Sequence, residues 1–239
     1  MKDLVRRLIR TFGYDVRKWY GPHHDPFCRF QFSVQRRRVT VVLDVGANVG
    51  QFARLIRKAG YNGKIISFEP LSDAHGKLLI AAQHDPQWTI APRCALGASR
   101  GKFQINIAAN SQSSSILNML ERHSACVPES KYVGKETVTM TTLDDVLDRE
   151  PELARTAIAL KLDTQGYEAE VLVGLQKWSD NVEVIMTEMS LVALYQGQAE
   201  FLDLYRMIED RGYRCISMEP GFIDPHTYQV LQVDAIFER

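Results

Sequence analysis

Cysteine is scarce in this 239-residue chain, and the four cysteines that are present lie far apart. They are Cys28, Cys94, Cys126 and Cys215, and no two of them form a C-x-x-C pair. This spacing predicts neither a zinc site nor a disulfide framework. We therefore expect reduced thiols, as in a cytoplasmic protein.

Long apolar runs are also absent. No stretch has the roughly 20 apolar residues that a membrane-spanning helix requires, and the first residues lack the apolar region of a signal peptide. Cytoplasmic localisation is the resulting expectation. The sequence contains no internal repeat, and no Gly-Lys-Ser or Gly-Lys-Thr sequence, which excludes a P-loop. At this length, one α/β domain with a short N-terminal extension is the simplest organisation.

The net charge of the whole chain is zero, but its 29 basic and 29 acidic residues are unevenly distributed. Residues 1–38 contain ten Lys or Arg and three Asp or Glu, a charge of +7, which leaves 19 basic and 26 acidic residues, or −7, for residues 39–239. The larger part is a poor partner for polyanions, and we expect no nucleic-acid substrate. We divide the chain into a basic N-terminal helix and arm, residues 1–38, and a domain, residues 39–239.

The N-terminal residues follow an amphipathic pattern. Apolar residues share one face of a predicted helix, and basic residues lie beside them: Leu4, Val5, Leu8, Ile9 and Phe12, with Lys2, Arg6, Arg7 and Arg10. Either this helix packs on the domain or on a second chain in a homo-oligomer, or it rests on a membrane surface and brings an enzyme to a lipid-linked acceptor. Residues 20–38, which include His23 and His24, are predicted to be an irregular arm.

A strand, a glycine-rich turn, a helix and a second strand follow one another over residues 39–69. The first strand ends in Asp44, the turn runs from Gly46 to Gly50, and the second strand ends in Glu69. This order is typical of a nucleotide-binding βαβ unit. We expect the glycines to let a ligand approach the backbone. We expect a helix that begins near Asn48 to direct N–H groups at an anionic group, and Glu69 to accept both ribose hydroxyls.

The spacing of the glycines indicates which nucleoside is bound. The turn is G-x-x-x-G, and Asn48 stands where a dinucleotide fold requires glycine beside the pyrophosphate. This favours a nucleoside without pyrophosphate, such as S-adenosylmethionine. An NAD-dependent oxidoreductase and a non-catalytic nucleoside-binding module are the alternatives.

Apolar patterns predict the rest of an α/β domain. Further strands are predicted over residues 65–68, 88–91, 101–108, 137–141, 157–163, 182–187, 213–217 and 230–237, the last two as an antiparallel pair. Helices are predicted over residues 72–84, 168–178 and 199–211, and a further helix begins at residue 142. Residues 109–135 are predicted to be a loop, of a length typical of a lid or substrate loop.

Four predicted core strands end in an acidic residue: Asp44, Glu69, Asp163 and Glu188. Open α/β sheets bind ligands beyond the carboxyl ends of their strands, so these acids predict a site for a cationic, hydroxyl-rich ligand. As an alternative, some of these acids accept hydrogen bonds from backbone N–H groups and cap the turns that follow. Glu188 is the first candidate for this alternative. An Asp163–Glu188 pair is also a hypothesis for Mg²⁺ binding, although no third ligand is evident.

Several stretches, in this order and spacing, resemble the FkbM-type family of S-adenosylmethionine-dependent methyltransferases. They are LDVGANVGQFA (43–53), SFEP (67–70), ALG (95–97), SSSIL (113–117), LKLDTQGYEAEVLVG (160–174), TEMS (187–190) and VDAIFER (233–239). The resemblance implies a class I methyltransferase fold, a seven-stranded and mostly parallel sheet with helices on both faces and an antiparallel terminal hairpin. It also implies O-methylation of a hydroxyl on a sugar, a glycolipid or a natural product.

The motifs and the resemblance together predict the residues of the site. For the cofactor these are Asp44, Gly46, Ala47, Asn48, Gly50, Gln51, Phe52, Glu69, Pro70, Ala95, Leu96, Ser114 and Asp163. Asp163 is also the first candidate for a catalytic base, because it ends the strand nearest the expected methyl position. Glu188 and His123 follow, the latter as a lid residue that lies at the surface until the lid closes. Lys161 is expected to orient a carboxylate or hydroxyl.

Overall fold

The computed structural model describes residues 2–14 and 25–239. Its strands are β1 (Val41–Val45), β2 (Lys64–Phe68), β3 (Trp88–Ile90), β4 (Ala95–Leu96), β5 (Gly101–Ala108), β6 (Tyr132–Thr141), β7 (Ile158–Leu162), β8 (Val182–Ser190), β9 (Arg214–Pro220) and β10 (Gln232–Glu238). Its helices are α1 (Lys2–Thr11), α2 (Pro26–Arg36), α3 (Gln51–Lys58), α4 (Ser72–Ala82), α5 (Glu121–Cys126), α6 (Leu143–Leu147), α7 (Glu168–Val173) and α8 (Phe201–Glu209). Short 3₁₀ helices span Pro128–Ser130, Pro151–Arg155 and Ser179–Asn181.

Seven of the strands form one sheet in the order β3-β2-β1-β7-β8-β10-β9. Neighbours from β3 to β8 are parallel, whereas β10 is antiparallel to both β8 and β9. The predicted fold class is therefore confirmed. Because β2 lies on one side of β1 and β7 on the other, the strand order reverses at β1. In such sheets the crevice beyond the carboxyl ends at this reversal is where ligands bind.

Two apolar cores cover the two faces of this sheet. Successive residues of a strand point to opposite faces, and Val42 and Leu43 of β1 accordingly belong to different cores. Val42 packs with Ile56 of α3, in the core that also receives side chains from α2 and α4. Leu43 belongs with Leu172 of α7 and Leu204 of α8. The helices thus hold β1 firmly, with its carboxyl end at the crevice.

A second sheet has the strand order β4-β6-β5. It packs through Ala95, Ile105 and Met140. Its partners are Leu71, which directly precedes α4, and Ala74 within α4. The sequence predicted β5 over the correct residues but only the last part of β6. The first half of β6 is mostly exposed, so it lacks the alternation of apolar residues by which strands are recognised.

Two expectations about irregular segments are wrong. The expected loop over residues 109–135 contains α5, and the expected arm over residues 20–38 contains α2. Asp25 caps α2, since its side chain accepts a hydrogen bond from the N–H of Cys28 at 2.9 Å, and Pro26 occupies the first turn. An Asp-Pro pair occurs in turns as well as at helix starts, so the pair alone did not distinguish them. His23 and His24 lie outside the described residues.

Apolar side chains are exposed in α1 and directly after it. Val5, Leu8 and Phe12 are 49%, 63% and 73% exposed. Over residues 2–14 and 25–239, no helix combines the length and the apolar character that crossing a membrane requires.

The helix predicted over residues 168–178 is shorter than expected, because α7 ends at Val173.

Candidate functional site

A cavity of about 300 Å³ opens where β1, β2, β7 and β8 present their carboxyl ends. Most of the predicted site residues line it: Gly46, Ala47, Asn48, Gln51, Phe52, Glu69, Pro70, Ala95, Leu96, Ser114, Lys161, Asp163 and Glu188. Asp44, Gly50 and His123 are not among the lining residues. The structure thus brings two separate predictions together, since the glycine turn and the strand-end acids share one cavity.

The two glycines of the turn are required by the packing of the protein itself. Gly46 has φ +75° and Gly50 has φ +87°, in the left-handed region that favours glycine. A Cβ on Gly46 would overlap the backbone carbonyl of Asp163, and a Cβ on Gly50 would overlap the ring of Trp88. We had expected both glycines to admit a ligand, but only Gly46 lines the cavity. Helix α3 also begins at Gln51, later than expected.

Glu69 is held by two backbone donors at the wall of the cavity. Its Oε2 accepts from the N–H of Asn48 at 2.9 Å and its Oε1 from the N–H of Leu71 at 2.8 Å. Burial raises the pKa of Glu69 to about 7, although these two hydrogen bonds act in the opposite direction. Each carboxylate oxygen has a further acceptor position. Glu69 can therefore still accept hydrogen bonds from a ligand in the cavity.

Asp44 and Lys161 form a buried ion pair beneath the cavity. Nζ of Lys161 lies 3.2 Å from Oδ1 of Asp44 and 3.6 Å from Oδ2 of Asp163, and it donates to the carbonyl of Gly46 at 2.9 Å. Burial disfavours the ammonium, but Asp44 and Asp163 outweigh it, so the pKa of Lys161 is raised. The hydroxyl of Ser67 donates to Oδ2 of Asp44 at 2.9 Å. Asp44 thus supports the glycine turn indirectly, because its partner Lys161 donates to the carbonyl of Gly46.

Asp163 and Glu188 meet through the side-chain amide of Gln165. Nε2 of Gln165 donates to Oδ1 of Asp163 at 2.8 Å and to Oε2 of Glu188 at 3.2 Å. Gln232 donates a second hydrogen bond to Oε2 of Glu188, at 2.8 Å. Burial raises the pKa of Glu188 well above its ordinary value, and the nearby Asp163 raises it further. The side chain of Asp163 is 41% exposed.

The loop after β5 is attached to the same glutamine. The hydroxyl of Tyr195 donates to Oε1 of Gln165 at 2.7 Å and lies 3.3 Å from the carbonyl oxygen of Ser113. The hydroxyl of Ser115 donates to the backbone carbonyl of Gln165 at 2.7 Å. Ser114 and Ile116 of this loop line the cavity. The loop therefore closes one side of the cavity in the present structure.

Sequence reasoning missed Gln165, Tyr195 and Ser111. Gln165 lies two residues after a strand-end acid, inside one of the stretches quoted above, so its position was a usable signal. Tyr195 lies 30 residues further along the chain, and no motif marks it. Ser111 has φ +55° and its hydroxyl accepts from Nδ2 of Asn48 at 3.2 Å. Only the folded chain brings that loop to the glycine turn.

His123 does not reach the cavity. Its ring packs against the rings of Tyr195 and Phe222, with centroid distances of 5.3 Å to each. Burial lowers the pKa of His123 to about 4, so its ring is neutral at physiological pH. The expectation of a surface histidine is wrong, because α5 turns the ring inward onto an apolar cluster that includes Leu194.

The residues present give Mg²⁺ binding no support. The pair of acids suggested for it, Asp163 and Glu188, already receives hydrogen bonds from Gln165. Across the part of the chain that the structure describes, no group of three or more His, Cys, Asp or Glu side chains could hold a metal ion. The cavity is instead suited to an organic cation, because the charge of Lys161 is paired with Asp44 while Glu69, Asp163 and Glu188 line the wall.

Comparisons of the sequence with known proteins identify one matching family and two similar methyltransferases. The sequence model described as "Methyltransferase FkbM domain" matches residues 44–215. The chain is 25% identical over 192 residues to "Methyltransferase sdnD" of Sordaria araneosa, covering 72% of this chain and 73% of that protein. It is 24% identical over 199 residues to "Methyltransferase 1" of Beauveria bassiana (strain ARSEF 2860), covering 77% and 76%.

Solved structures with a similar fold include a 1,6-didemethyltoxoflavin-N1-methyltransferase from Burkholderia thailandensis with bound S-adenosylhomocysteine. The TM-score is 0.44 at 11% sequence identity, with coverage of 90% of this chain and 76% of that chain. A putative O-methyltransferase from Klebsiella pneumoniae gives a TM-score of 0.46 at 9% identity, with coverage of 99% and 88%.

Proposed function

Because the chain belongs to the FkbM methyltransferase family, we propose that it is an S-adenosylmethionine-dependent O-methyltransferase. The proposed acceptor is a hydroxyl of a sugar, a glycolipid or another natural product. The observation that carries the proposal is that two carboxylates, Asp163 and Glu188, line the same cavity as the glycine turn and Glu69. In this proposal, a nucleoside site and a group that accepts a proton are adjacent.

Residues of the cavity fit the parts of this cofactor. Glu69 offers acceptor positions for the ribose hydroxyls, and the N–H groups at the start of α3 suit a carboxylate. Ala95 and Leu96 give an apolar wall for the adenine. The acidic lining complements a positive centre, since Lys161 is already paired. When bound, the cofactor supplies a methyl carbon attached to a positively charged sulfur.

We assign the role of base to Asp163, because its side chain combines exposure to the cavity with a fixed position at the end of β7. When bound, the cofactor would supply its methyl carbon to the acceptor oxygen, and the electron pair of the broken carbon–sulfur bond would stay on sulfur. The hydroxyl proton passes to the Asp163 carboxylate. A positioned base contributes about 10²–10⁴-fold, and alignment of the reacting atoms contributes about 7–11 kcal/mol.

The test is transfer of an isotope-labelled methyl group from S-adenosylmethionine into fractions of glycans, glycolipids and natural products. We expect label in an ether, which resists mild alkaline hydrolysis. Label found only in an ester or on nitrogen would contradict O-methylation of a hydroxyl. With the acceptor identified, Asp163→Asn should lower turnover at least about 100-fold and leave cofactor affinity within a few-fold. Asp203→Asn, at an exposed position of α8, is the control, and equal turnover of the two variants would remove Asp163 as the base.

We further propose that α1 brings the enzyme to an anionic membrane surface, where a glycolipid acceptor resides. Exposed apolar side chains are Val5 and Leu8 of α1 and Phe12, which directly follows the helix. The helix contains four basic residues against one acidic residue. An amphipathic helix with a basic polar face is typical of membrane-surface binding. Near an anionic surface each Lys or Arg contributes about 1 kcal/mol.

Sedimentation with lipid vesicles tests the role of α1. We expect binding to vesicles of phosphatidylcholine with phosphatidylglycerol, weaker binding to phosphatidylcholine alone, and loss of binding in a Leu8→Glu/Phe12→Glu variant. Leu202→Glu, which changes an exposed leucine of α8, is the matched control. A dimer that dissociates in the double variant, together with no vesicle binding by the unchanged protein, would assign α1 to a homo-oligomer instead.

A further inference from the structure

Gln165 makes contacts with both acids and with the loop that closes the cavity. Its Nε2 lies between Asp163 and Glu188 and donates to one oxygen of each, at 2.8 and 3.2 Å. Its Oε1 accepts from Tyr195, and its backbone carbonyl accepts from Ser115. All the polar atoms of its side chain are therefore engaged.

The surroundings of this amide fix its orientation. Two carboxylates on one side are acceptors, so the NH₂ group must face them, and the Tyr195 hydroxyl on the other side donates to the oxygen. Burial raises the pKa of Tyr195 above its ordinary value, which keeps that hydroxyl a donor. The backbone of Gln165 has φ +56° and Gly166 after it has φ +94°. The turn after β7 thus holds the amide beside both acids.

The charges around Glu188 show why this amide matters. Glu188 faces Asp163, Glu168 and Asp234, which disfavour its ionised form, and Lys161, which favours it. Lys161 is itself paired with Asp44. Amide donors to Oε2 come from Gln165 and Gln232, and a hydrogen bond to the charged form of an acid favours that form.

We propose that Gln165 is a positioning residue that joins the two acids through Oδ1 of Asp163 and Oε2 of Glu188 and so holds both carboxyl groups at the wall of the cavity. The proposal rests on the proposed function for its consequence, which is that the methyl acceptor binds beside these carboxyl groups. Gln165 does not itself transfer a proton. Its amide favours the ionised form of Glu188 and limits the orientations that both acids adopt, and Tyr195 keeps that amide in place.

Titration of the carboxyl carbons by ¹³C NMR, on the free protein without cofactor, tests this role. Glu188 and Asp163 are assigned from the signals lost in Glu188→Gln and Asp163→Asn. In Gln165→Asn the amide is one methylene shorter, while Asn tolerates the positive φ. We expect the pKa of Glu188 to rise by about 1–2 units, because it loses a hydrogen bond to its charged form. The carboxyl signal of Asp163 at pH 8 should change its chemical shift, because the hydrogen bond from Gln165 to Oδ1 is lost.

Gln232→Asn is the matched control, since Gln232 donates to Glu188 and to Ser190 but not to Asp163. It should move the titration of Glu188 and leave the carboxyl signal of Asp163 at pH 8 in place. Tyr195→Phe keeps the ring and removes the hydroxyl, so it should move the Glu188 titration and the Asp163 signal in the same direction as Gln165→Asn, by less. An unchanged Glu188 titration together with an unchanged Asp163 signal in Gln165→Asn and in Tyr195→Phe would overturn the proposal, whether or not the protein methylates a hydroxyl.

Discussion

At the scale of single residues, Glu69 is the acid whose environment makes the clearest prediction. Its pKa is raised to about 7 by burial, whereas accepting ribose hydroxyls favours the ionised form. Protons therefore compete with the cofactor below this pH, and affinity should rise with pH through about 7 and level off above it. One unit below the pKa about a tenth of the molecules have Glu69 ionised, so apparent affinity should fall about tenfold.

Isothermal titration calorimetry with S-adenosylmethionine at several pH values measures this dependence. Glu69→Ala should bind more than tenfold more weakly at pH 8, because the ribose loses a buried partner. Its affinity should also lose the dependence on pH around 7. Unaltered affinity in Glu69→Ala would place the ribose elsewhere.

Residues also show where sequence patterns mislead. The four strand-end acids were expected to form one ligand site, but Asp44 is fully buried and pairs with Lys161 instead. His123, expected in a mobile lid, is packed between two aromatic rings. In both cases the sequence pattern predicted only where the residue lies relative to a strand or loop. The contacts of its side chain depended on neighbours that are distant in sequence.

At the scale of elements, Lys161 joins the carboxyl ends of β1 and β7. Its ammonium pairs with Asp44 of β1 and donates to the carbonyls of Val45 and Gly46. Replacing it with methionine would leave Asp44 as a buried charge without a cation, which typically costs about 3–5 kcal/mol. We expect Lys161→Met to lower the free energy of unfolding by this amount, measured by urea denaturation.

Lys177→Met provides the comparison, because Lys177 pairs with Asp148 at the surface, where its side chain is 67% exposed. Exposed pairs typically contribute about 0–1 kcal/mol. Adding Asp44→Asn to Lys161→Met should restore part of the lost stability. A loss in Lys161→Met no larger than that in Lys177→Met would show that the buried pair does not hold the two strands together.

At the scale of the whole molecule, one ligand should stabilise the entire sheet, since the cavity is lined by residues from four of its strands. A ligand present at 100 times its Kd stabilises the folded state by about 2.7 kcal/mol. For a chain of this size that corresponds to a rise in Tm of roughly 5–10 °C.

Differential scanning fluorimetry with S-adenosylmethionine, S-adenosylhomocysteine and NAD⁺ measures this effect. We expect a rise with the first two and none with NAD⁺, because Asn48 replaces the glycine that a pyrophosphate requires. A rise with NAD⁺ alone would favour the oxidoreductase hypothesis over methyl transfer.

The sequence by itself determined the architecture. Buried parallel strands are continuous apolar runs, and the left-handed backbone at Gly46 and Gly50 of the turn between strand and helix favours glycine. Both are local consequences of residue type, so the sheet, the turn and most of the cavity residues could be read from the chain. Segments without such a signal, such as α2 and the first half of β6, were missed.

Only the tertiary structure decided which side chains the acids contact. The meeting of Asp163 and Glu188 at Gln165 requires the ends of β7 and β8 to lie side by side, and Tyr195 and Ser115 come from other parts of the chain. Hydrogen bonds and burial of this kind depend on distances between residues remote in sequence. The sequence shows which chemical groups are available. Tertiary packing determines which of them form hydrogen bonds with one another or line the same cavity.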